Sequence, residues 1–158
     1  MNSRELTRIA SHHLHTRNYF GGCVAADCLP IEIPFYPIFY ICNSDEWYKR
    51  GSHWLLLMFR SPDEPPEYFD SFGHTPDYYN KLIKDYLIVT GGTGGYMMST
   101  QQVQPSYSWH CGYYCLTVAD YFSQGYSLSN ITTLFDEFNL PKNDQLVRDY
   151  VNSHMRRL

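Results

Sequence analysis

Three short segments of this 158-residue chain carry polar groups of the kinds that make and break acyl bonds. Gly51-Ser52-His53-Trp54 sets a histidine where a loop runs into an apolar stretch. Tyr68-Phe69-Asp70-Ser71-Phe72-Gly73 sets a carboxylate where a second apolar stretch ends. Gln104-Pro105-Ser106-Tyr107-Ser108-Trp109-His110-Cys111-Gly112 sets a cysteine at the head of an amphipathic run. Singly, each has a structural reading: a hydrogen-bonded histidine, a turn-forming aspartate, a small buried thiol. Together they fit one chemistry. A cysteine at a helix N-terminus is stabilised as thiolate by the helix dipole and by a nearby imidazolium. A carboxylate on one ring nitrogen fixes the tautomer and turns the other nitrogen toward sulfur. Gln104, with the backbone N–H of Cys111, can donate to an oxyanion, and Pro105 keeps the backbone before it extended.

Such a constellation needs elements that bring positions 53, 70 and 111 together. Trp54–Phe59 is continuously apolar, as in a strand covered on both faces. Glu67–Asp70 reads as its antiparallel partner across the proline-rich turn Ser61–Pro66. If His53 precedes one strand and Asp70 ends the other, both lie at the same end of the sheet. Cys111, Cys115, Val118, Ala119 and Phe122 mark one face of a helix ending near Gly125. Pro37–Cys42 and Met97–Val103 are further strand candidates, and Tyr19–Pro37, with three prolines and Gly21-Gly22, reads as extended chain. Asn2 caps a first helix, with Glu5 reaching back in a capping box and Leu6, Ile9, Ala10 and His13 on one face. Thr75-Pro76 opens another helix, with Tyr79, Leu82, Ile83, Tyr86 and Leu87 inward. Two more helices follow, one around Ile131-Leu134-Phe135-Phe138 and one after Pro141 with Leu146, Val147, Tyr150 and Val151 inward. Strands in the middle and helices at both ends predict an α+β fold: a central mixed or antiparallel sheet flanked by helices, in one domain, 1–158.

Composition narrows the function classes. Hydrophobic residues are 44% and charged residues 18%, which argues against disorder. No apolar run approaches the ~18 residues of a membrane span. A net charge of −4 gives no general electrostatic reason to bind nucleic acid, though a local basic patch stays open. Five cysteines, an odd number, and a Met1-Asn2-Ser3-Arg4-Glu5 start unlike a secretion signal predict free thiols in a reducing compartment. Gly91–Gly95 reads as a flexible loop and lacks the lysine of a phosphate-binding loop. Fifteen tyrosines suit either a ring-rich core and surface or a peptide-binding groove.

The order His-Trp, aromatic-Asp-Ser-aromatic-Gly, then Gln, six residues and Cys-Gly resembles the adenovirus-type maturation proteases, in the same broad group as the SUMO-deconjugating cysteine proteases. Tyr19-Phe20-Gly21-Gly22 and the ten-residue step from Asn43 to His53 extend the resemblance over roughly 19–122. It implies a triad of His53, Asp70 and Cys111, an oxyanion hole from Gln104 and Cys111, and a substrate channel narrowed by Trp54, Trp109 and His110. It further implies a thioester acyl-enzyme that cleaves viral precursor polypeptides after glycine, with an aliphatic residue upstream, in the virion and the infected cell, nucleus or cytoplasm. Val89-Thr90-Gly91-Gly92-Thr93 superficially resembles such a cleavage site. The adenovirus enzymes carry glutamate where Asp70 stands, and aspartate is the deconjugating group's habit. No cysteine between Cys42 and Cys111 matches the anchor of their activating peptide. The expectation is therefore a monomer with no required cofactor and no metal, a peptide or DNA activator being left open. Three rivals stand beside it: a ubiquitin-like-protein deconjugase, an inactive or acyl-transferring relative, and a metal-stabilised interaction module using His12, His13, His15, Cys23 and Cys28.

Overall fold

The computed structural model describes residues 1–156; the last two residues of the expected 1–158 domain lie outside the described residues. Five strands form one mixed sheet in chain order: β1 Phe20–Val24, β2 Ile38–Asn43, β3 Trp54–Phe59, β4 Glu67–Phe69 and β5 Met97–Met98. The outer pairs, β1–β2 and β4–β5, are parallel, and the inner pairs are antiparallel. Among the described residues six α-helices flank the sheet: α1 Ser3–His12, α2 Pro76–Tyr79, α3 Lys81–Gly91, α4 Cys111–Ser123, α5 Leu128–Thr132 and α6 Leu140–Tyr150. The fold is α+β, as the order of strand and helix patterns predicts.

The unbroken apolar run of β3 follows from burial on both faces. Leu56 and Met58, with Phe39 and Ile41 of β2, pack against α1, α4 and α6. Leu55 and Leu57, with Ile38, Tyr40 and Tyr68, pack against Ile83 and Leu87 of α3. Alternation along each strand thus feeds two separate cores, one on each side of the sheet.

Several sequence expectations are corrected. Asn2 does cap α1, its Oδ1 accepting from the Glu5 N–H at 2.9 Å, but the Glu5 carboxylate pairs with Arg156 instead of closing a capping box. His13 is the cap residue after α1, outside its apolar face. The extended segment 19–37 contains a real strand, β1, whose Gly21 is required by packing: a Cβ on it would lie 2.4 Å from the Tyr40 ring. The helix opened by Thr75-Pro76 breaks at Asn80, whose side chain recaps α3, and Leu82 faces solvent. Val89–Thr93 lies in the end of α3 and a 3₁₀ turn at Gly92–Gly94 rather than in the expected flexible loop. The Met97–Val103 strand shrinks to two residues, because Val103 N–H bonds instead to Ser71 O. The helix around Ile131 ends at Thr132, leaving Phe138 exposed.

The turn after β4 is set by Gly73, at φ +77°, whose N–H closes on Asp70 O at 2.9 Å. A Cβ there would meet Thr100 O at 2.6 Å. Gly73→Ala adds left-handed strain to a backbone clash and is expected to lower unfolding free energy by about 2 kcal/mol or more. Gly94→Ala, at ordinary φ with its nearest neighbour 3.9 Å away, should leave stability within about 1 kcal/mol. Denaturant midpoints compare the two.

Candidate active site

His53 sits one residue before β3 and is held by the sheet itself: the Asn43–Trp54 pair ends the β2–β3 ladder, and Ser44 N–H continues it onto His53 O at 2.9 Å. Asp70 follows the last β4 residue, Phe69, which pairs with Leu56. The hairpin therefore sets the two side chains at one end of the sheet. His53 Nε2 and Asp70 Oδ1 are 2.6 Å apart, and both residues are buried.

The Asp70 carboxylate is fully committed. Besides the imidazole it accepts from Phe72 N–H at 3.2 Å, His74 N–H at 3.0 Å and the Tyr79 hydroxyl at 2.6 Å. Such bonds compensate the loss of water around a buried charge. The imidazole lies between two aromatic faces, Phe72 at 4.9 Å and Tyr79 at 5.1 Å between centroids. Ring stacking of this kind favours a cationic ring and restricts its rotation. Sequence reasoning missed Phe72 and Tyr79 as parts of the site. Phe72 stood inside the quoted motif, and Tyr79 was read only as a helix core position.

Cys111 opens α4, which packs on β3 and sets Cys111 and His53 on the wall of one cleft. Burial works against the thiolate. The hydrogen bond and charge of His53 outweigh it, helped by backbone groups of Trp54 and Gly112, and the thiol is held below its ordinary pKa. Burial likewise opposes the imidazolium, but Asp70 and Cys111 together raise the His53 pKa to about 9. The other four cysteines are all shifted upward, Cys23, Cys42 and Cys115 chiefly by burial, and the exposed Cys28 as well. Cys111 alone is therefore poised as a nucleophile.

Gln104 is fully buried beneath the cleft. Its Oε1 accepts from Ser71 Oγ at 2.5 Å, and its Nε2 donates to Ser108 O at 3.0 Å and Ser108 Oγ at 3.2 Å. The amide is thus oriented by the residue after Asp70 and by the loop before Cys111. Donation to an oxyanion requires one of its two N–H groups to leave Ser108.

A cleft of about 630 Å³ runs past these residues, lined among others by His53, Trp54, Phe72, Gln104, Trp109 and Cys111. Trp54 is a wall held by its indole N–H on Met1 O at 3.0 Å, and the rings against His53 are Phe72 and Tyr79 rather than Trp54. Trp109 stands at the rim, 88% exposed. His110 does not line the cleft: its Nδ1 lies 3.1 Å from Ser108 Oγ and 3.2 Å from Asp144 Oδ2. The suggested five-residue metal set does not gather either. His12 bonds to Arg8 O, Cys23 lines the cleft, Cys28 is exposed, and only His13 and His15 of that set approach each other.

The thiolate–imidazolium pair exists between the lowered Cys111 pKa and the raised His53 pKa. Kcat/KM for a peptide amide should rise through the first and fall as the imidazolium deprotonates near pH 9, the two limbs belonging to the coupled pair. Asp70→Asn removes the charge that raises the upper value, so that limb should move to lower pH. Tyr79→Phe keeps the stacked ring but removes a donor to Asp70; a loss of about 1.4 kcal/mol would lower kcat/KM about tenfold. Rate–pH profiles of the purified variants measure both effects.

A scan of protein-family models and a search of curated proteins find no match to the sequence. Among solved structures the chain is similar to the ASFV pS273R protease, in two crystal structures, one with selenomethionine. Identity is 19% to each, with TM-scores of 0.51 and 0.50. Each match covers 80% of this chain, which spans slightly less than half of that protein, 46% and 45% of its length. This likeness shows a shared fold: a mixed sheet flanked by helices, the fold of a viral cysteine protease.

Proposed function

We propose that this chain is a cysteine endopeptidase of viral type that processes precursor polypeptides through a thioester acyl-enzyme. The convergence of Cys111, His53 and Asp70 carries the reading, with Cys111 the single thiol shifted toward thiolate. The likeness in fold to a viral protease supports it.

In the proposed cycle Sγ of Cys111 attacks the substrate carbonyl carbon. The oxygen takes the negative charge and is met by the Cys111 N–H and a Gln104 N–H released from Ser108. His53 gives its proton to the leaving amine as the C–N bond breaks. Neutral His53 then takes a proton from water, whose oxygen attacks the thioester and frees the acid and the thiolate. Nothing in this cycle requires a cofactor. Acidic Asp45 and Glu46 and basic Lys49 and Arg50 all line the cleft, so its wall selects no single charge. The finer reading is cleavage after glycine, where Trp54 and Trp109 leave room for a residue without a Cβ, acting on virion precursors in the virion and infected cell. The same site would serve a ubiquitin-like-protein deconjugase, and a panel of SUMO and ubiquitin probes set against aliphatic-x-Gly-Gly peptides separates the two. Among the described residues no helix is long and apolar enough to cross a membrane.

Cys111→Ala should abolish turnover and labelling by thiol-reactive peptides, while Cys115→Ala, folded, keeps both; the opposite pattern overturns the assignment. Gln104→Ala should cost acylation about 2.7–4 kcal/mol while leaving alkylation by small reagents intact. Equal loss of both reactivities would make Gln104 a structural residue only. On aliphatic-x-Gly-Gly peptides, replacing the glycine before the scissile bond by alanine should slow cutting at least about tenfold, a loss of ~1.4 kcal/mol. A peptide-library profile preferring a bulky residue there rejects the glycine reading.

A further inference from the structure

At the opposite end of α4 from Cys111, three residues from distant parts of the sequence converge. His13 Nε2 lies 3.0 Å and His15 Nδ1 2.9 Å from the same oxygen, Oδ1 of Asp120. One donor atom from each of the three falls within 4.8 Å of the others. Nine residues at 1.5 Å rise separate Asp120 from Cys111, about 14 Å along the helix, so this cluster is no part of the cleft.

Asp120 is 1% exposed, on a helix packed against the core, yet among the described residues its ion-pairing partners are these two histidines alone, with no lysine or arginine. The second carboxylate oxygen, Oδ2, is occupied by the Tyr150 hydroxyl from α6, which fixes the group's orientation and leaves Oδ1 directed at the histidines. The scaffold is stiff. His13 caps α1 through Ile9 O, its own carbonyl accepts from Arg17 N–H at 3.0 Å, and Thr16 Oγ1 ties back to Ala10 O at 2.7 Å. The His15 side chain is 41% exposed, so the cluster opens to solvent on one side.

From this geometry we infer a binding site for one divalent transition-metal ion of the zinc class, held by His13 Nε2, His15 Nδ1 and Asp120 Oδ1, with water at the open side. Two imidazoles and a carboxylate are a donor set such ions accept, and an outer hydrogen bond such as that of Tyr150 orients the carboxylate ligand. The observed 2.9–3.0 Å edges are a few tenths short of the roughly 3.3 Å edge of a tetrahedron with 2.0–2.1 Å bonds, so small side-chain shifts admit the ion. On binding, each neutral ring presents its lone pair at the ligating nitrogen and carries its proton on the other. The ion neutralises Asp120 and ties the turn after α1 to α4, while Tyr150 links the carboxylate to α6.

The test uses the full chain with Cys111→Ala, so that metal on the catalytic thiol does not count. Metal-free protein is given equimolar Zn²⁺ or Co²⁺, desalted, and analysed for metal content, the cobalt visible spectrum and Tm. The expected result is one ion per chain, a cobalt spectrum of low-symmetry nitrogen and oxygen ligation, and a higher Tm. His15→Ala, a half-exposed change that spares the core, should abolish all three. Asp120→Asn keeps one oxygen for the ring N–H groups and turns its NH2 to the Tyr150 hydroxyl oxygen, which can accept, and should lose the metal while remaining folded. Absence of uptake, uptake unchanged in His15→Ala and Asp120→Asn, or a Tm that follows pH but ignores zinc overturns the site.

Discussion

The register of the β3–β4 hairpin is the constraint on which the site depends. Pairing Leu56 with Phe69 puts the chain entering β3 and the chain leaving β4 at one end of the sheet, and His53 meets Asp70 there. A slip of one residue would turn every side chain of the hairpin to the other face. The register is pinned because both faces are buried: Leu56 and Phe69 belong to the core under α4, Leu57 and Tyr68 to the core under α3. Stability and the geometry of the candidate site are therefore specified by the same residues.

Around that hairpin the charges hold one another in place. Burial opposes ionisation of both Cys111 and His53, and each is ionised through its neighbours, the thiol through His53 and the imidazole through Asp70 and Cys111. The turn contributes the backbone N–H groups of Phe72 and His74 and the Phe72 ring, while Tyr79 contributes a hydroxyl and a second ring. Ser71 extends the network to Gln104, so the carboxylate turn and the oxyanion candidate belong to one connected structure. Preorganisation here is a property of about ten residues, most of which touch no substrate.

The sequence made the hairpin, α4 and the ends of both legible because each has a strong period and clear punctuation, the prolines after Phe59 and the glycine after Phe122. An α+β fold with a helix-flanked central sheet was legible from element order, while the choice between a mixed and an antiparallel sheet was not. What stayed hidden depends on contacts far apart in sequence. β1 is a strand because it lies beside β2, with Gly21 giving way to the Tyr40 ring, and a Gly-Gly pair hides this from propensity. The Asn80 break is local, but a capping asparagine inside a helical pattern reads equally as an exposed polar residue. His110 looked like a groove residue by adjacency to Cys111, and only the fold brings Asp144 to it. Asp120 carried no periodic or motif signal beside His13 and His15, more than 100 residues earlier.

His53 and Asp70 are 17 residues apart and share a hairpin, whereas Cys111 arrives 41 residues later on a separate helix. The hairpin's contacts are local, and the docking of α4 on β3 closes a long loop. Until that docking, the sulfur lacks the imidazole and has the reactivity of any solvated cysteine. Emergence of the chain from the ribosome therefore delivers the base before the nucleophile. The site has an order of assembly in which the meeting of thiol and imidazole is the last step.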